Sequence, residues 1–382
     1  MKKTLLMTLD YPPMVGGVAN YYRHLVEQLP QESIVVLDNA HGELLSSSRW
    51  VWPKWLKAVS STYRLIKKEK IEHLLVGQIL PLGTVALMLH LWLRIPYTVM
   101  THAMDVTLPF GPEGSRRKQW LIKNILHKAA AVTTVSSFTK NKLRELGVQS
   151  HKIFLVYPCP HITPELLSAK HPPQDYSREL RFATQSRCSL EYLAAGIAQG
   201  KKIILSVGRL VERKGFDMVI RALPELRKIF PNILYIIVGD GTDRQRLEQI
   251  AREQRVDDIV HFTEVISDEA IAQWFAACTF FVMPSRKLSN NDVEGFGIVY
   301  LEANSFGKPV IAGNSGGVHD AVIDGQTGLL VEPENVTMLT QAMNRFLDDS
   351  AFAQRLGQQG QARVHEQFRW SLQAQTVQRM LE

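Results

Sequence analysis

The chain has 382 residues, 45% hydrophobic and 21% charged, which is the composition of an ordinary globular protein with enough apolar sequence for two cores. Its net charge of +7 lies in the first part: residues 1–165 carry 20 Lys and Arg against 11 Asp and Glu, whereas the remainder carries 24 against 26. That asymmetry indicates an anionic partner for one domain. Three scattered cysteines, with no Cys-x-x-Cys pair, argue against a disulfide framework or a zinc site and favour a reducing cytoplasm.

The first half alternates short apolar strands with amphipathic helices, which predicts a parallel sheet covered by helices on both faces. The predicted strands are residues 4–8, 33–37, 74–77, 97–101, 131–135 and 153–157. The predicted helices are residues 18–29, 54–67, 82–93, 119–128 and 137–146.

One apolar stretch approaches the length of a membrane span. No Lys, Arg, Asp or Glu occurs between Glu72 and Arg94. The stretch contains Gln78 and His90, however, and a Pro81-x-Gly83 breaker divides it. A buried strand, a turn and a helix therefore explain it better than a span.

The alternation stops in a Pro- and Ser-rich segment from Pro158 to about Gln185, which is typical of an interdomain linker. A short helix at residues 190–198 is predicted next, followed by strands at 203–207, 234–238, 260–262, 280–283 and 310–312 with helices between them. The tail from about residue 365 is predicted to be a helix that packs back on the first domain. The sequence thus predicts an α/β protein of two doubly wound Rossmann-like domains, residues 1–170 with about 365–382 and residues 171–364, facing a central ligand cleft.

One motif follows the first strand of each predicted domain. Gly16 and Gly17 open a helix, where bare backbone amides suit an anion, although a plain tight turn explains them equally well. Arg209 and Lys214 follow the strand at 203–207, and two fixed cations there would stabilise the charge on a departing nucleoside diphosphate. The alternative for these cations is a solvated basic loop.

Two further motifs lie at or beyond the carboxyl ends of other predicted strands. In Glu294-Gly295-Phe296-Gly297-Ile298, backbone amides at a helix start can bind phosphate and sugar oxygens, and Glu302 follows early in that helix. In Thr101-His102-Ala103-Met104-Asp105, His102 and Asp105 could orient an acceptor hydroxyl, although a lone histidine is often structural.

A tight turn, Gly239-Asp240-Gly241, ends another strand of the second domain and is assigned to the donor site. No Asp-x-Asp pair occurs; Asp292-x-Glu294 is the nearest arrangement. A bound metal or other cofactor is therefore not expected.

Together these residues resemble retaining glycosyltransferase family four, whose GT-B fold has two Rossmann-like domains, and in particular phosphatidylinositol mannosyltransferase-like enzymes. The resemblance covers nearly the whole chain and is strongest from Ile203 to Pro333. It is most specific at the Glu-x7-Glu signature, matched by Glu294 and Glu302. Ala103 departs from the family, which frequently has glycine there, and the segment Arg178–Cys188 is longer than expected.

The resemblance implies roles for individual residues. Arg209 and Lys214 would hold the donor diphosphate, and Glu302 would bind the ribose. Glu294 and the amides of Phe296, Gly297 and Ile298 would contact sugar and phosphate, with Gly16 and Gly17 beside the phosphates. His102 would lie near the anomeric carbon and Asp105 near the acceptor. The resemblance also implies metal-independent transfer of a hexose with retention, by a front-face displacement in which the leaving phosphate helps to deprotonate the acceptor.

Aromatic and basic residues are mixed in two segments of the first half. These are Arg49–Lys57, with the basic residues that follow up to Lys70, and Arg116–Lys123. Such a mixture suits an anionic membrane surface, although two ordinary amphipathic helices would have the same sequence pattern. A peripheral enzyme on the inner face of the cell membrane would act on a lipid-linked acceptor, with GDP-mannose as the leading donor; a saccharide acceptor and UDP-sugars stay open.

Two rival classes are weighed against this prediction. An NAD-dependent sugar-nucleotide oxidoreductase or epimerase is disfavoured because the Gly-x-Gly-x-x-Gly fingerprint is missing. A non-catalytic sugar-nucleotide or membrane-binding module is disfavoured because Glu294, Glu302, Arg209 and Lys214 are all present. Nucleic-acid binding has no recognised motif in its support.

Overall fold

A computed structural model describes residues 1–14, 16–45, 53–168 and 199–382. Their contacts divide the chain into two compact units. The N-terminal unit comprises Met1–Cys159, Leu288–Gly295 and Phe368–Glu382, and the C-terminal unit comprises Pro160–Lys287 and Phe296–Gln367.

The N-terminal unit contains a parallel six-stranded sheet in the order β2-β1-β3-β4-β5-β6. The strands are β1 Thr4–Met7, β2 Ile34–Leu37, β3 His73–Val76, β4 Tyr97–Thr101, β5 Ala131–Thr134 and β6 Ile153–Leu155. The helices that accompany them are α1 Gly17–Glu27, α2 Leu56–Glu69, α3 Leu82–Leu93, α4 Met104–Thr107, α5 Arg116–Lys128 and α6 Ser137–Glu145.

The C-terminal unit contains a second parallel sheet in the order β12-β11-β10-β7-β8-β9. Its strands are β7 Lys202–Val207, β8 Ile233–Val238, β9 Val260–Phe262, β10 Phe280–Met283, β11 Val310–Gly313 and β12 Gly328–Val331. Its helices are α7 Glu165–Ser168, α8 Phe216–Ile229, α9 Arg244–Glu253, α10 Asp268–Ala277, α11 Ile298–Ser305, α12 Val318–Ala321, α13 Val336–Asp348 and α14 Ser350–Gln367.

The predicted fold class is confirmed, and each of the eleven predicted strands corresponds to a strand of the structure. The sequence prediction missed β12, whose Gly-Leu-Leu-Val run is short and follows a turn rather than a clear helical pattern. It also missed α7, which forms inside the predicted linker. The predicted helix at 190–198, the rest of the linker from residue 169, Cys188 and the aromatic pair Trp50 and Trp52 lie outside the described residues.

Three helices share one apolar layer of the N-terminal unit. Residues of α2, α3 and α5 lie in the same buried cluster, and α3 contacts both of its neighbours. The sequence at 72–94 forms β3 and α3, as predicted. None of the helices in the described part of the chain combines the length and the apolar character that a membrane crossing requires.

The last helix, α15 Trp370–Met380, belongs to the N-terminal unit. The Trp370 ring packs edge-on against Tyr21 and stacks on His24, with ring centroids 5.5 and 5.6 Å apart. The Gln373 side chain accepts a hydrogen bond of 2.8 Å from the backbone amide of Tyr157. These contacts fix α15 against α1 and the segment that follows β6.

Candidate active site

In each sheet the strand order reverses at one place. The reversal lies between β1 and β3 in the N-terminal unit and between β7 and β10 in the C-terminal unit. Open parallel sheets bind ligands beyond the carboxyl ends of the strands at such a point. Functional side chains are therefore expected in the loops that follow β1, β3, β7 and β10.

The two predicted cations lie at the reversal point of the C-terminal unit. Arg209 follows β7 directly, and its side chain is exposed. Lys214 ends a single 3-10 turn, Glu212–Lys214. Its Cε and Nζ atoms lie 3.8 and 4.0 Å from the point that a Cβ on Gly208 would occupy. The structure thus places both cations at the carboxyl end of β7, as the sequence predicted.

The Asp240–Gly241 turn is joined to the Arg209 loop by backbone hydrogen bonds. The amide of Leu210 donates to the Asp240 carbonyl at 2.9 Å, and the amide of Asp243 donates to the Leu210 carbonyl at 3.0 Å. The Asp240 carboxylate accepts a hydrogen bond from the Gly241 amide at 2.8 Å. The structure therefore brings Asp240 and Gly241 beside Arg209, and the Asp240 carboxylate shapes its own turn.

A buried ion pair that the sequence analysis did not single out lies under the cationic loop. The Arg286 guanidinium, just beyond β10, donates to Asp217 at 2.7 Å, and both side chains are buried. The same guanidinium donates to the Glu212 carbonyl at 3.2 Å. Because Glu212 and Asp217 flank Lys214, this pair fixes the loop that carries the lysine.

Phe296, Gly297 and Ile298 lie at the start of α11 in the C-terminal unit. Gly297 precedes the helix with a φ of +89°, a conformation that favours glycine, and a Cβ there would lie 2.3 Å from the Tyr300 ring. The first amides of α11 have no partner within the helix, so this end offers donors to an anion.

Glu302 is deeply buried rather than exposed, with only 2% of its surface accessible. Its carboxylate lies 2.9 Å from Nδ1 of His161, a residue in the segment that the sequence predicted to be linker. The second His161 nitrogen lies 3.9 Å from Asp268. Sequence reasoning missed His161 because 141 positions separate it from its partner and no local pattern marks it.

In the N-terminal unit, Gly16 and Gly17 lie in open surroundings. Both are exposed, and a Cβ added at either would have no atom within 4 Å. The helix α1 begins at Gly17, so the amides of its first turn are available to a ligand. The glycines are therefore not required by packing within the described part of the chain.

The loop after β4 has a strained conformation at Ala103. Its φ and ψ are +65° and −63°, and the Met104 amide donates to the His102 carbonyl at 2.8 Å, which closes a γ-turn. Non-glycine residues rarely adopt such a conformation, and it is often found at functional sites. This turn gives a reason for the glycine that the family frequently has here, because glycine adopts such a conformation without strain, whereas Ala103 adopts it with strain.

Asp105 is tied to this loop. Its carboxylate accepts a hydrogen bond of 3.0 Å from the His102 amide. Burial raises the pKa of Asp105 to about 7, against the opposing effect of backbone amides that donate to it. The carboxyl group can therefore change its charge near neutral pH.

The segment Leu288–Gly295 belongs to the N-terminal unit and brings Glu294 to the same loop as His102. A Cβ on Gly295 would lie 2.9 Å from the Ala103 methyl and 3.4 Å from the His102 carbonyl oxygen. Within the N-terminal unit, the structure therefore groups Glu294, His102 and Asp105. Within the C-terminal unit, it groups Arg209, Lys214, Asp240 and Gly241.

Comparisons with known proteins identify the two domains and the fold. Residues 15–159 match the domain described as Glycosyltransferase Family 4, and residues 194–363 match the domain described as Glycosyl transferases group 1. The fold is similar to that of a sucrose-phosphate synthase from Thermosynechococcus elongatus (TM-score 0.78, 23% identity, 100% of this chain and 98% of that one). It is also similar to Anabaena HepE in complex with UDP-glucose (TM-score 0.77, 21% identity, 100% and 99%). The architecture is the GT-B fold.

Two curated relatives match over their full length. The chain is 29% identical to a GDP-mannose-dependent monoacylated alpha-(1-6)-phosphatidylinositol monomannoside mannosyltransferase of Corynebacterium glutamicum, over 100% of this chain and 98% of that protein. It is 28% identical to a GDP-mannose-dependent alpha-(1-6)-phosphatidylinositol monomannoside mannosyltransferase of Mycolicibacterium smegmatis, over 96% and 94%. The chain belongs to glycosyltransferase family four. The prediction of an enzyme of this class is confirmed, and the two rival classes are set aside.

The buried pair under the cationic loop can be tested by Asp217→Ala. This substitution leaves the Arg286 guanidinium buried without its carboxylate, so we expect a loss of about 3–5 kcal/mol in the free energy of unfolding, measured in urea. Arg227→Ala is the control, because Arg227 forms a solvent-exposed ion pair with Asp258 in the same unit. It should cost less than about 1 kcal/mol. An equal loss in the free energy of unfolding for the two variants would show that the buried pair contributes no more to stability than the exposed pair.

The contact between Gly295 and Ala103 can be tested by a double-mutant cycle. Gly295→Ala places two methyl groups in one space, so we expect a loss of about 1–3 kcal/mol in the free energy of unfolding. Ala103→Gly removes the second methyl, and the double variant should therefore recover at least about 0.5 kcal/mol relative to the sum of the single changes. Gly17→Ala, which enters open space, serves as the control. Additive effects would contradict this contact.

Proposed function

We propose that this glycosyltransferase transfers mannose from GDP-mannose to a lipid-linked acceptor, with retention of the anomeric configuration and without a metal ion. The main support is the full-length similarity to two mannosyltransferases that are named as GDP-mannose-dependent and as acting on phosphatidylinositol monomannosides. UDP-sugars are the second candidate donors, because the structurally similar HepE was solved with UDP-glucose. A saccharide acceptor is the second candidate acceptor.

In this proposal the C-terminal unit binds the donor. Arg209 and Lys214 contact the diphosphate and stabilise the charge that develops on it as the sugar bond breaks. The amides of Phe296, Gly297 and Ile298 bind sugar and phosphate oxygens, and Asp240 and Gly241 complete this side of the donor site. Glu302, held by His161, binds the ribose hydroxyls. The fixed position of the loop after β7 supports this role, because preorganised charges need no rearrangement during the reaction.

The N-terminal unit contributes the acceptor side. His102 lies near the anomeric carbon, Asp105 near the acceptor, and Glu294 contacts the hydroxyls of the transferred sugar. Gly16 and Gly17 leave room for phosphates and acceptor at the start of α1. Neutral His102 is a hydrogen-bonding group rather than a proton donor at neutral pH, because burial lowers its pKa to about 4.

Metal independence remains part of the proposal. Among the described residues, no group of three or more His, Cys, Asp or Glu side chains is arranged to hold a metal ion. The two cations after β7 can perform the charge stabilisation that a divalent ion performs in other transferases. A turnover assay with and without added chelator measures this directly.

We also propose that the N-terminal unit docks on an anionic membrane at its α2–α3–α5 face. Large apolar side chains are exposed on these packed helices: Leu91, Trp92 and Trp120 are 63%, 64% and 67% accessible. Trp92 stacks on Tyr63 of α2, at a centroid distance of 5.1 Å. Exposed cations lie on two of these three helices, α2 and α5: Arg64, Lys67, Lys68, Arg116, Arg117, Lys118 and Lys123. Aromatic and aliphatic tips with flanking cations suit an interface with anionic lipids.

The donor is identified by thermal shift with GDP-mannose, UDP-glucose, UDP-N-acetylglucosamine and ADP-glucose, with NAD as the negative control. GDP-mannose should stabilise the protein most, and Lys214→Ala should weaken its binding about tenfold or more, as for loss of a charge-assisted hydrogen bond. Lys228→Ala, on the exposed side of α8, is the matched control and should leave the affinity unchanged. Wild-type affinity in Lys214→Ala would remove this lysine from the site.

The membrane surface is tested by flotation with vesicles of phosphatidylcholine alone or mixed with phosphatidylglycerol. The triple variant Arg116→Gln, Arg117→Gln and Lys118→Gln should bind the anionic vesicles about fivefold more weakly for each charge removed, and added salt should weaken the wild type in the same way. The control removes the same charge from the C-terminal unit, by Arg221→Gln, Lys228→Gln and Arg252→Gln. Equal losses of vesicle binding in both triple variants would show that net charge, and not this face, is the cause of binding.

A further inference from the structure

The Tyr22 hydroxyl makes two short contacts inside the N-terminal unit. Its oxygen lies 2.6 Å from the carbonyl oxygen of Gly77, at the carboxyl end of β3. It also lies 2.6 Å from Nε2 of His102, at the carboxyl end of β4. Tyr22 thus links the reversal point of this sheet to the histidine that is assigned to the acceptor side.

The positions of the protons follow from these two contacts. A phenol has one hydrogen to donate, and a carbonyl oxygen can only accept. At 2.6 Å from the Gly77 carbonyl, the Tyr22 oxygen must direct its hydrogen there, since two unprotonated oxygens at that distance would repel. The His102 contact is then a donation from Nε2–H to the phenol oxygen. Neutral imidazole carries its proton on one nitrogen only, so Nδ1 is left as an acceptor.

The surroundings keep both groups in the required charge state. Burial is the main cause that raises the pKa of Tyr22 well above its ordinary value, so the phenol keeps its proton. Burial likewise lowers the pKa of His102 to about 4, so the imidazole is neutral at physiological pH. Neither a phenolate nor an imidazolium therefore disturbs the assignment of the protons.

Packing holds the three groups in place. A Cβ on Gly77 would lie 2.8 Å from the Thr8 hydroxyl and 3.1 Å from the Tyr22 ring, so the glycine is what allows the tyrosine to approach. The rings of Tyr21 and Tyr22 meet the His102 ring edge-on, at 5.2 and 5.3 Å between centroids. Nδ1 of His102 has no hydrogen-bond partner among the residues that the structure describes.

We propose that Tyr22 is a positioning residue that holds His102 in the Nε2–H tautomer, so that Nδ1 accepts a hydrogen bond from a substrate hydroxyl. The ligand class at this nitrogen is then a hydroxyl donor, such as a sugar or acceptor alcohol, and not a phosphate oxygen or a carbonyl, which cannot donate. The identity of that hydroxyl as a substrate group rests on the proposed transferase function. The assignment of the tautomer does not depend on that function.

The tautomer is measured by long-range proton–nitrogen correlation NMR on protein labelled with 15N-histidine, with the His102 signals assigned by their loss in His102→Gln. The wild type should show a protonated Nε2 and an unprotonated Nδ1. Tyr22→Phe should shift His102 toward the other tautomer or a mixture. Tyr21→Phe is the matched control: its hydroxyl donates to the Val156 carbonyl at 3.2 Å, and its loss should leave the His102 pattern unchanged. A proton on Nδ1 in the wild type, or an unchanged pattern in Tyr22→Phe, would overturn the proposal.

Kinetics separate this proposal from the proposed function. Tyr22→Phe should lower kcat for sugar transfer about tenfold or more while the affinity for GDP stays at the wild-type value. An equal loss of GDP binding in Tyr22→Phe would indicate a general structural effect and would count against positioning. If wild-type protein binds no sugar nucleotide, the proposed function fails, whereas the NMR result still decides the tautomer.

Discussion

Parallel strand pairing is the constraint on which the site depends. All strands in each sheet run in one direction, so their carboxyl ends share one edge, and residues far apart in sequence meet there. The reversal of strand order then opens a space between neighbouring loops. This places Glu212 beside Arg286 in one unit, and Tyr22 beside His102 in the other, although 74 and 80 positions separate them in the chain.

Several of the predicted site residues, or the loops that carry them, have a buried or half-buried polar partner within their own unit. Arg286 and Asp217 support the loop of Lys214, His161 contacts Glu302, and Tyr22 contacts His102. Buried polar groups are costly unless they are paired, so such contacts allow few alternative arrangements. These side chains are thereby held in position in the absence of a ligand.

The sequence predicts the fold well because the alternation of apolar strands and amphipathic helices is a local signal, repeated many times. It also finds the residues that follow strands, such as Arg209, Lys214 and His102, because position after a strand is itself local. It does not reveal His161, Asp217 or Tyr22, because their partners Glu302, Arg286 and His102 lie 141, 69 and 80 positions away and no motif marks their own neighbours. The missed strand β12 lacks this local signal, because a turn rather than an amphipathic helix directly precedes it. For Ala103, the sequence marks the departure from glycine, but only the backbone angles show that the alanine occupies a strained turn.

The contribution of α15 to the N-terminal unit has a consequence for synthesis on the ribosome. Met1–Cys159 emerge first, yet their unit also contains Leu288–Gly295 and Phe368–Glu382. At ordinary rates of translation, the first segment waits on the order of 10 to 40 seconds for the last one. During that interval Tyr21 and His24 lack the Trp370 ring that packs on them, so part of α1 that is covered in the finished unit stays open to solvent.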